Sequence, residues 1–268
     1  MVNREKFQTL QKDSGMASLK EGYKTGAAAI LEITLLGNLM DMMKVEKQRN
    51  HHSSYPSILS KFSAGGFARA NLHGLFPWGV AMYGTRGLVY GACYGGLSYS
   101  LKNTPLSEQN KKVIASIGGG LAEGAATTPM SLMRTRTAEA VVGGPAPRMD
   151  FSAVKRTLPL SAMKRGGDWG LRSLIYHRLN KDYSHATSAF SAGVISSIIT
   201  IPIDRMLPLL QQNNPPNRPL KWVVASIKER GMQAAFAGTG MRLLHAGWHT
   251  MFIFGALHLL ESEKLVKY

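Results

Sequence analysis

One short pattern occurs three times along this chain of 268 residues, and it limits the possible folds more than any other feature. Its copies begin at Leu39, Pro129 and Pro202. In the first copy Asp41 and Lys44 stand three residues apart, which places both side chains on one face of a helix. The same internal spacing at three places predicts a chain built from tandem repeats. A glutamine follows nine residues after the start of the first and third copies, at Gln48 and Gln211.

Nearly charge-free stretches accompany the repeated pattern and predict its secondary structure. They are rich in Gly, Ala, Ser and Thr rather than Leu. Such a composition is typical of helices that pack closely on one another or line a wet cavity. The chain is therefore expected to be all-α, although no segment reaches ~18 consecutive apolar residues. The stretches are 26–40, 87–101, 113–133, 187–203 and 246–260.

Charge balance and cysteine content exclude several classes of protein. Lysine and arginine number 32 against 16 acidic residues, and the net charge of +16 predicts an anionic partner. Nucleic acid is not that partner, because residues 187–203 carry no charge and no zinc-finger or RNA-binding motif is present. The single cysteine, Cys93, excludes a disulfide framework and a Cys-based zinc site. No phosphate loop, Gly-x-Ser-x-Gly or triad is visible, so no catalytic residues are predicted and an enzyme is not expected.

The repeated pattern resembles the signature of the mitochondrial carrier family, Pro-x-Asp/Glu-x-x-Lys/Arg followed by glutamine. The third copy, with Pro202 and Asp204, is the best match. The second keeps Pro129 and Arg134, and the first has Leu39 where the family has proline. The resemblance implies an all-α membrane protein with six transmembrane helices in three pseudo-repeats. It also implies a multi-pass protein of the mitochondrial inner membrane that needs no cofactor.

The resemblance also divides the chain. Residues 1–20 form a polar N-terminal arm, and the three repeats cover 21–106, 107–183 and 184–268. The copies of the signature begin 90 and 73 residues apart, so the second repeat is shortened. Its surface helix is expected to be truncated, and its second membrane helix is expected near 169–183.

The family closes its matrix side with a ring of ion pairs, and the resemblance carries part of that ring to this chain. Asp41 is expected to meet Arg134, and Asp204 to meet Lys44, with Gln48 and Gln211 as glutamine braces. The third pair, Ser131 with Leu207, is uncharged and is expected to stay unpaired, which predicts a weaker plug. Pro129 and Pro202 are interpreted as helix kinks, with a plain helix end as the alternative.

The candidate contacts of a central cavity are basic. Alignment with the family places Arg86 and His245 at solute-contact positions, and Arg242 and His249 share the helical face of His245. This face suits an anionic solute, or else it is a helix end that meets solvent or lipid headgroups. His245 and His249 lack a nearby acid or cysteine, so no metal site is predicted. Three accounts of Glu32 stay open: contact with a neighbouring repeat, pairing with an arginine, or contact with a partner protein.

Two functions are compatible with these features. The family's second charge ring, at the cytoplasmic ends of the even-numbered helices, lacks its acids here. With the shortened repeat, this loss favours an accessory or scaffolding subunit of a larger inner-membrane, respiratory-type complex. The alternative is a solute carrier that exchanges a small anionic metabolite or nucleotide. Other inner-membrane subunits and anionic lipid, with cardiolipin as the candidate, are the expected partners. The basic linkers 44–49 and 155–165 would meet that lipid.

Overall fold

The computed structural model describes about two thirds of the chain, and every structural statement below concerns those residues. They are 22–32, 40, 43–44, 47, 54–64, 78–141, 146, 148–211, 221, 224–225, 228 and 239–265.

Helices dominate this part of the chain, which contains no strand. The first helix, α1, covers residues 22–32. The remaining helices are α2 (Tyr55–Ala64), α3 (Trp78–Leu101), α4 (Glu108–Val141), α5 (Phe151–Leu179), α6 (His185–Gln211) and α7 (Thr239–Leu265). The prediction of an all-α chain is confirmed for these residues, whereas the six-span, three-repeat arrangement stays a prediction. No helix in the described segments combines the length and the apolar character that a membrane crossing requires.

The long helices form a closed ring. From α3 to α7, each helix packs against the next one along the chain. Helix α1 joins the two ends of this series. On one side Thr25 Oγ1 donates a hydrogen bond of 2.6 Å to the carbonyl of Gly87 on α3. On the other side Glu32 contacts His249 on α7. The ring order is therefore α1, α3, α4, α5, α6 and α7.

Glycine permits close contact between α4 and α5. A Cβ atom added at Gly120 would lie 2.5 Å from the carbonyl oxygen of Arg165. One added at Gly124 would lie 2.6 Å from the carbonyl oxygen of Ser161. Any larger residue at these two positions would force the helices apart, because the nearby atoms belong to backbone.

The polarity of the ring is inverted relative to a water-soluble helical protein, in which apolar faces point inward. Charged side chains such as Glu123 and Arg172 are buried, whereas large apolar side chains lie on the outer surface. The exposed apolar residues include Ile117 and Leu121 on α4, Leu158, Met163 and Leu174 on α5, and Ile195, Ile198 and Ile199 on α6.

Helix α5 differs from its prediction. It begins at Phe151 rather than near residue 169, because Asp150 caps it by accepting hydrogen bonds from the backbone N–H groups of Ser152 and Ala153. Pro159 lies inside the helix without ending it. The connection from α4 comprises residues 142–150, and its described residues are not helical.

The two prolines of the signature lie within helices. Pro129 is inside α4, and residue 202 is inside α6, which continues to Gln211. The alternative that these prolines mark helix ends is therefore wrong, and the degree of kinking stays a prediction.

Candidate functional site

Glu123 occupies the centre of the ring, on α4, with none of its surface exposed. Its Oε1 lies 2.9 Å from Arg86 Nε on α3 and 3.5 Å from Arg165 Nε on α5. Its Oε2 accepts a hydrogen bond from the indole Nε1 of Trp169. A buried carboxylate is tolerated only with such partners, so Glu123 ties three helices together through charge.

Glu32 holds the contact between α1 and α7, and it too is fully buried. Its Oε2 lies 3.1 Å from His249 Nδ1, and its Oε1 lies 3.6 Å from His245 Nε2. The histidines stand four residues apart, which places both rings on one face of α7. Of the three open accounts, the structure therefore selects contact with a neighbouring helix, through histidines rather than arginine.

Asp204 on α6 binds two cations from the flanking helices. Lys164 on α5 contacts Oδ1, and Arg242 on α7 contacts Oδ2. Arg242 also donates a hydrogen bond of 2.8 Å from Nη2 to Thr200 Oγ1. Lys164 was expected in a basic linker that meets lipid. That expectation was wrong for this residue, because the early start of α5 brings it inside the ring.

The predicted ring of matrix-side ion pairs is only partly within the described residues. Asp41, the expected partner of Arg134, lies outside them, as does Gln48. The Arg134 guanidinium lies 5.6 Å from the centre of the Tyr83 ring. Lys44 is described, and its pairing with Asp204 stays a prediction.

Arg172 is a site residue that the sequence did not single out. Its Nη2 lies 2.8 Å from Asp168 Oδ2 on the same helix. Its other nitrogens donate to Ser196 Oγ on α6, at 3.2 Å, and to Thr250 Oγ1 on α7, at 2.8 Å. The i, i+4 spacing of Asp168 and Arg172 was the available signal, since that spacing joins opposite charges on a helix face.

Aromatic side chains fill the middle of the ring. Tyr90 and Trp169 stack with ring centres 4.2 Å apart, and the Arg172 guanidinium lies 5.1 Å from the Trp169 ring. The small cavity beside them has room for about one water molecule. The residues that line it include Thr25, Arg86, Glu123 and His249.

Gln211, the last residue of α6, contacts α4, and its role as a brace stays a prediction. Its Nε2 donates to Ser131 Oγ at 3.2 Å, and its Oε1 accepts from Thr135 Oγ1 at 3.0 Å. Glutamine thus gives Ser131 a neutral hydrogen-bond partner, and the absence of an ion pair between Ser131 and Leu207 stays a prediction. Nearby, buried Arg136 donates to the carbonyl of Arg148 at 2.6 Å.

The four candidate cavity contacts share one property: each lies against a buried carboxylate. Arg86 contacts Glu123, Arg242 contacts Asp204, and His245 and His249 contact Glu32. An anionic solute would have to displace these carboxylates before it could bind the same cations. We call the charged set the interior network: Glu32, Arg86, Glu123, Lys164, Arg165, Asp168, Arg172, Asp204 and Arg242, with His245 and His249.

Residues 180–263 match the family model described as mitochondrial carrier protein. The matched segment includes all of α6 and nearly all of α7, and hence Asp204, Arg242, His245 and His249. A comparison with curated proteins finds no match to the chain.

Proposed function

Because the match of residues 180–263 supports membership of the mitochondrial carrier family, we propose that this chain is a multi-pass protein of the mitochondrial inner membrane that no longer transports. Proteins of that family sit in the inner membrane and are transporters, not enzymes. In the proposed role, the chain is an accessory or scaffolding subunit of a larger, respiratory-type complex.

The inverted polarity of the ring supports a place in the membrane. Ionisable residues within membrane segments face the bundle interior and pair with one another, as Glu123 and Arg86 do. The outer surface presents Met163 and Ile199, which are 67% and 55% exposed. Water would penalise those side chains, whereas lipid or a partner subunit would not. In this proposal α1 and α3 to α7 form the three pseudo-repeats and cross the bilayer together, as a bundle whose charged side chains pair inside it, and α2 lies at the membrane surface.

The ion pairs between buried side chains inside the ring support the proposal that the chain is a scaffold. A carrier must break its interior contacts in each transport cycle, and removing one partner of a buried ion pair costs about 3–5 kcal/mol. Here Arg86, Arg242, His245 and His249 would each have to leave a carboxylate. The stacked rings of Trp169 and Tyr90 would also have to separate before a solute could pass between them. A scaffold needs only the packing that these contacts provide.

The outer face of α5 is the proposed contact with a neighbouring subunit. Phe151 and Met163 are among the most exposed large apolar side chains. The connection between α4 and α5 comprises only residues 142–150, so it adds little chain next to this face. A stable interface there should bury at least ~1,000 Å².

Native sizing after extraction in mild detergent tests the scaffold. We expect the wild-type chain in a large assembly, and we expect Met163→Trp to release it, because the larger side chain blocks protein contact. Ile199→Trp is the matched control, since a similarly exposed residue on α6 should tolerate tryptophan in lipid. A wild-type chain that runs as a monomer in native membranes would contradict the proposal.

Exchange of labelled anions in proteoliposomes tests the alternative, a carrier for a small anionic metabolite or nucleotide. The interior network favours a carrier in one respect. It contains five Lys and Arg side chains but only four acidic side chains, and its two histidines can add positive charge. The scaffold predicts no saturable exchange. Exchange that is abolished by Arg86→Ala but kept by Arg178→Ala, an exposed arginine, would restore the carrier.

A further inference from the structure

We propose that Glu32, His245 and His249 form a buried proton-binding site that holds α1 against α7. Glu32 has no exposed surface, and His249 is 6% exposed. The carboxylate lies 3.1 Å from His249 and 3.6 Å from His245. A carboxylate in such surroundings needs a compensating positive charge or a proton of its own. Either way, the cluster must take up a proton from solution.

The cations near Glu32 distinguish it from the other buried acids. Among the described residues, its ion-pairing partners are the two histidines. Glu123, Asp168 and Asp204 each contact an arginine, which keeps its charge at every physiological pH. Histidine changes charge between about pH 5 and 8. Compensation of Glu32 therefore depends on pH, whereas compensation of the other three does not.

Other charged and titratable groups line the interior beside the cluster. Among the described residues, Arg86 and Tyr90 on α3 and Glu123 on α4 line the cavity that His249 also lines. Asp168 with Arg172 on α5, and Asp204 on α6 with Arg242 on α7, are the other ion pairs of the interior network. Each of these arginines is bound to one of these carboxylates. The described residues also contain no group of three His, Cys, Asp or Glu side chains placed to hold a metal ion. A proton is the ligand that fits the cluster.

The direction of the pH effect follows from this arrangement. At lower pH the cluster holds its proton, on a histidine or on Glu32, and the buried charge is neutralised. As the pH rises the proton leaves, and the carboxylate stays buried without compensation. Contact between α1 and α7 should then weaken, and the ring should open on this side.

Thermal unfolding of the purified full chain in detergent micelles, followed by helical circular dichroism, tests the site. Loss of one proton should lower the melting temperature by about 3 °C for each pH unit between roughly pH 6 and 8.5. Glu32→Gln should abolish this slope, because a neutral amide needs no proton. Glu123→Gln is the matched control: the same change at an equally buried glutamate with arginine partners. It should lower the melting temperature and keep the slope.

Two results would overturn the proposal: a wild-type melting temperature that does not vary over this range, or a slope that persists in Glu32→Gln. The second result would assign the titration to other histidines among the eight in the chain. If Glu32→Gln does not fold, the double variant His245→Gln with His249→Gln tests the site instead. It should unfold at a lower temperature than the wild type at pH 6, because Glu32 is then buried without a cationic partner. An unchanged melting temperature of the double variant at pH 6 would also refute the site.

Discussion

The Arg172 side chain binds groups on three helices at once. It pairs with Asp168 on its own helix and donates to Ser196 on α6 and Thr250 on α7. Its exposed fraction is only 4%, so water cannot replace any of these partners. Arg172 therefore links α5, α6 and α7 inside the ring.

Replacing Arg172 should destabilise the protein severely. Arg172→Ala leaves Asp168 buried without its cation, and we expect the free energy of unfolding to fall by about 3–5 kcal/mol. Arg172→Lys keeps the charge but loses the planar fork that reaches three helices, so its effect should be intermediate. Chemical unfolding in detergent measures both changes, and a loss below about 1 kcal/mol for Arg172→Ala would contradict the expected link.

Asp150 controls the start of α5 from outside the ring. Hydrogen bonds from the Ser152 hydroxyl and the Ala153 backbone N–H lower the pKa of this carboxyl from 3.8 to about 2. A lowered pKa stabilises the folded chain above pH 3.8, and this stabilisation is lost as the pH falls through about 2. Asp150→Ala should lower the melting temperature more at pH 7 than at pH 2, whereas Asp150→Asn should retain most of the cap. Equal losses at both pH values would count against the cap.

At the scale of helices, sequence and structure agree best where a local signal is strong. The signature at Pro202 and Asp204 predicted a helix there, and α6 spans it. The start of α5 was missed because Lys155, Arg156, Lys164 and Arg165 suggested a solvated linker. The Asp150 cap was the signal that was overlooked. Basic composition cannot reveal that Lys164 turns inward to a carboxylate on another helix.

The close contact between α4 and α5 leads to a prediction about the packing of two helices. Gly120→Ala should lower the melting temperature, because its Cβ would lie 2.5 Å from a backbone oxygen of α5. Gly167→Ala on α5 is the matched control, since no atom lies within 4 Å of the added carbon. There alanine should stabilise the helix by about 0.5–1 kcal/mol. Equal melting temperatures for the two variants would argue against close packing at Gly120.

At the scale of the whole molecule, charge is divided between inside and outside. The interior network nearly balances itself, so most of the net charge of +16 lies elsewhere on the chain. The sequence identified Arg86, Arg242, His245 and His249 but not their partners. Glu32 and His249 stand 217 residues apart, and no local spacing can report such a contact. Only the three-dimensional ring shows that these cations are compensated.

Closure of the ring by its first and last helices has a consequence for how the chain is made. Helix α7 brings Arg242 to Asp204 and both histidines to Glu32, and it is the last of the described helices to be synthesised. Before α7 is synthesised, Glu32 on α1 and Asp204 on α6 lack these partners. A polypeptide truncated before Thr239 would carry that defect permanently. Synthesis of α7 is thus the step at which a nascent chain acquires the partners of Glu32 and Asp204 that a truncated chain lacks.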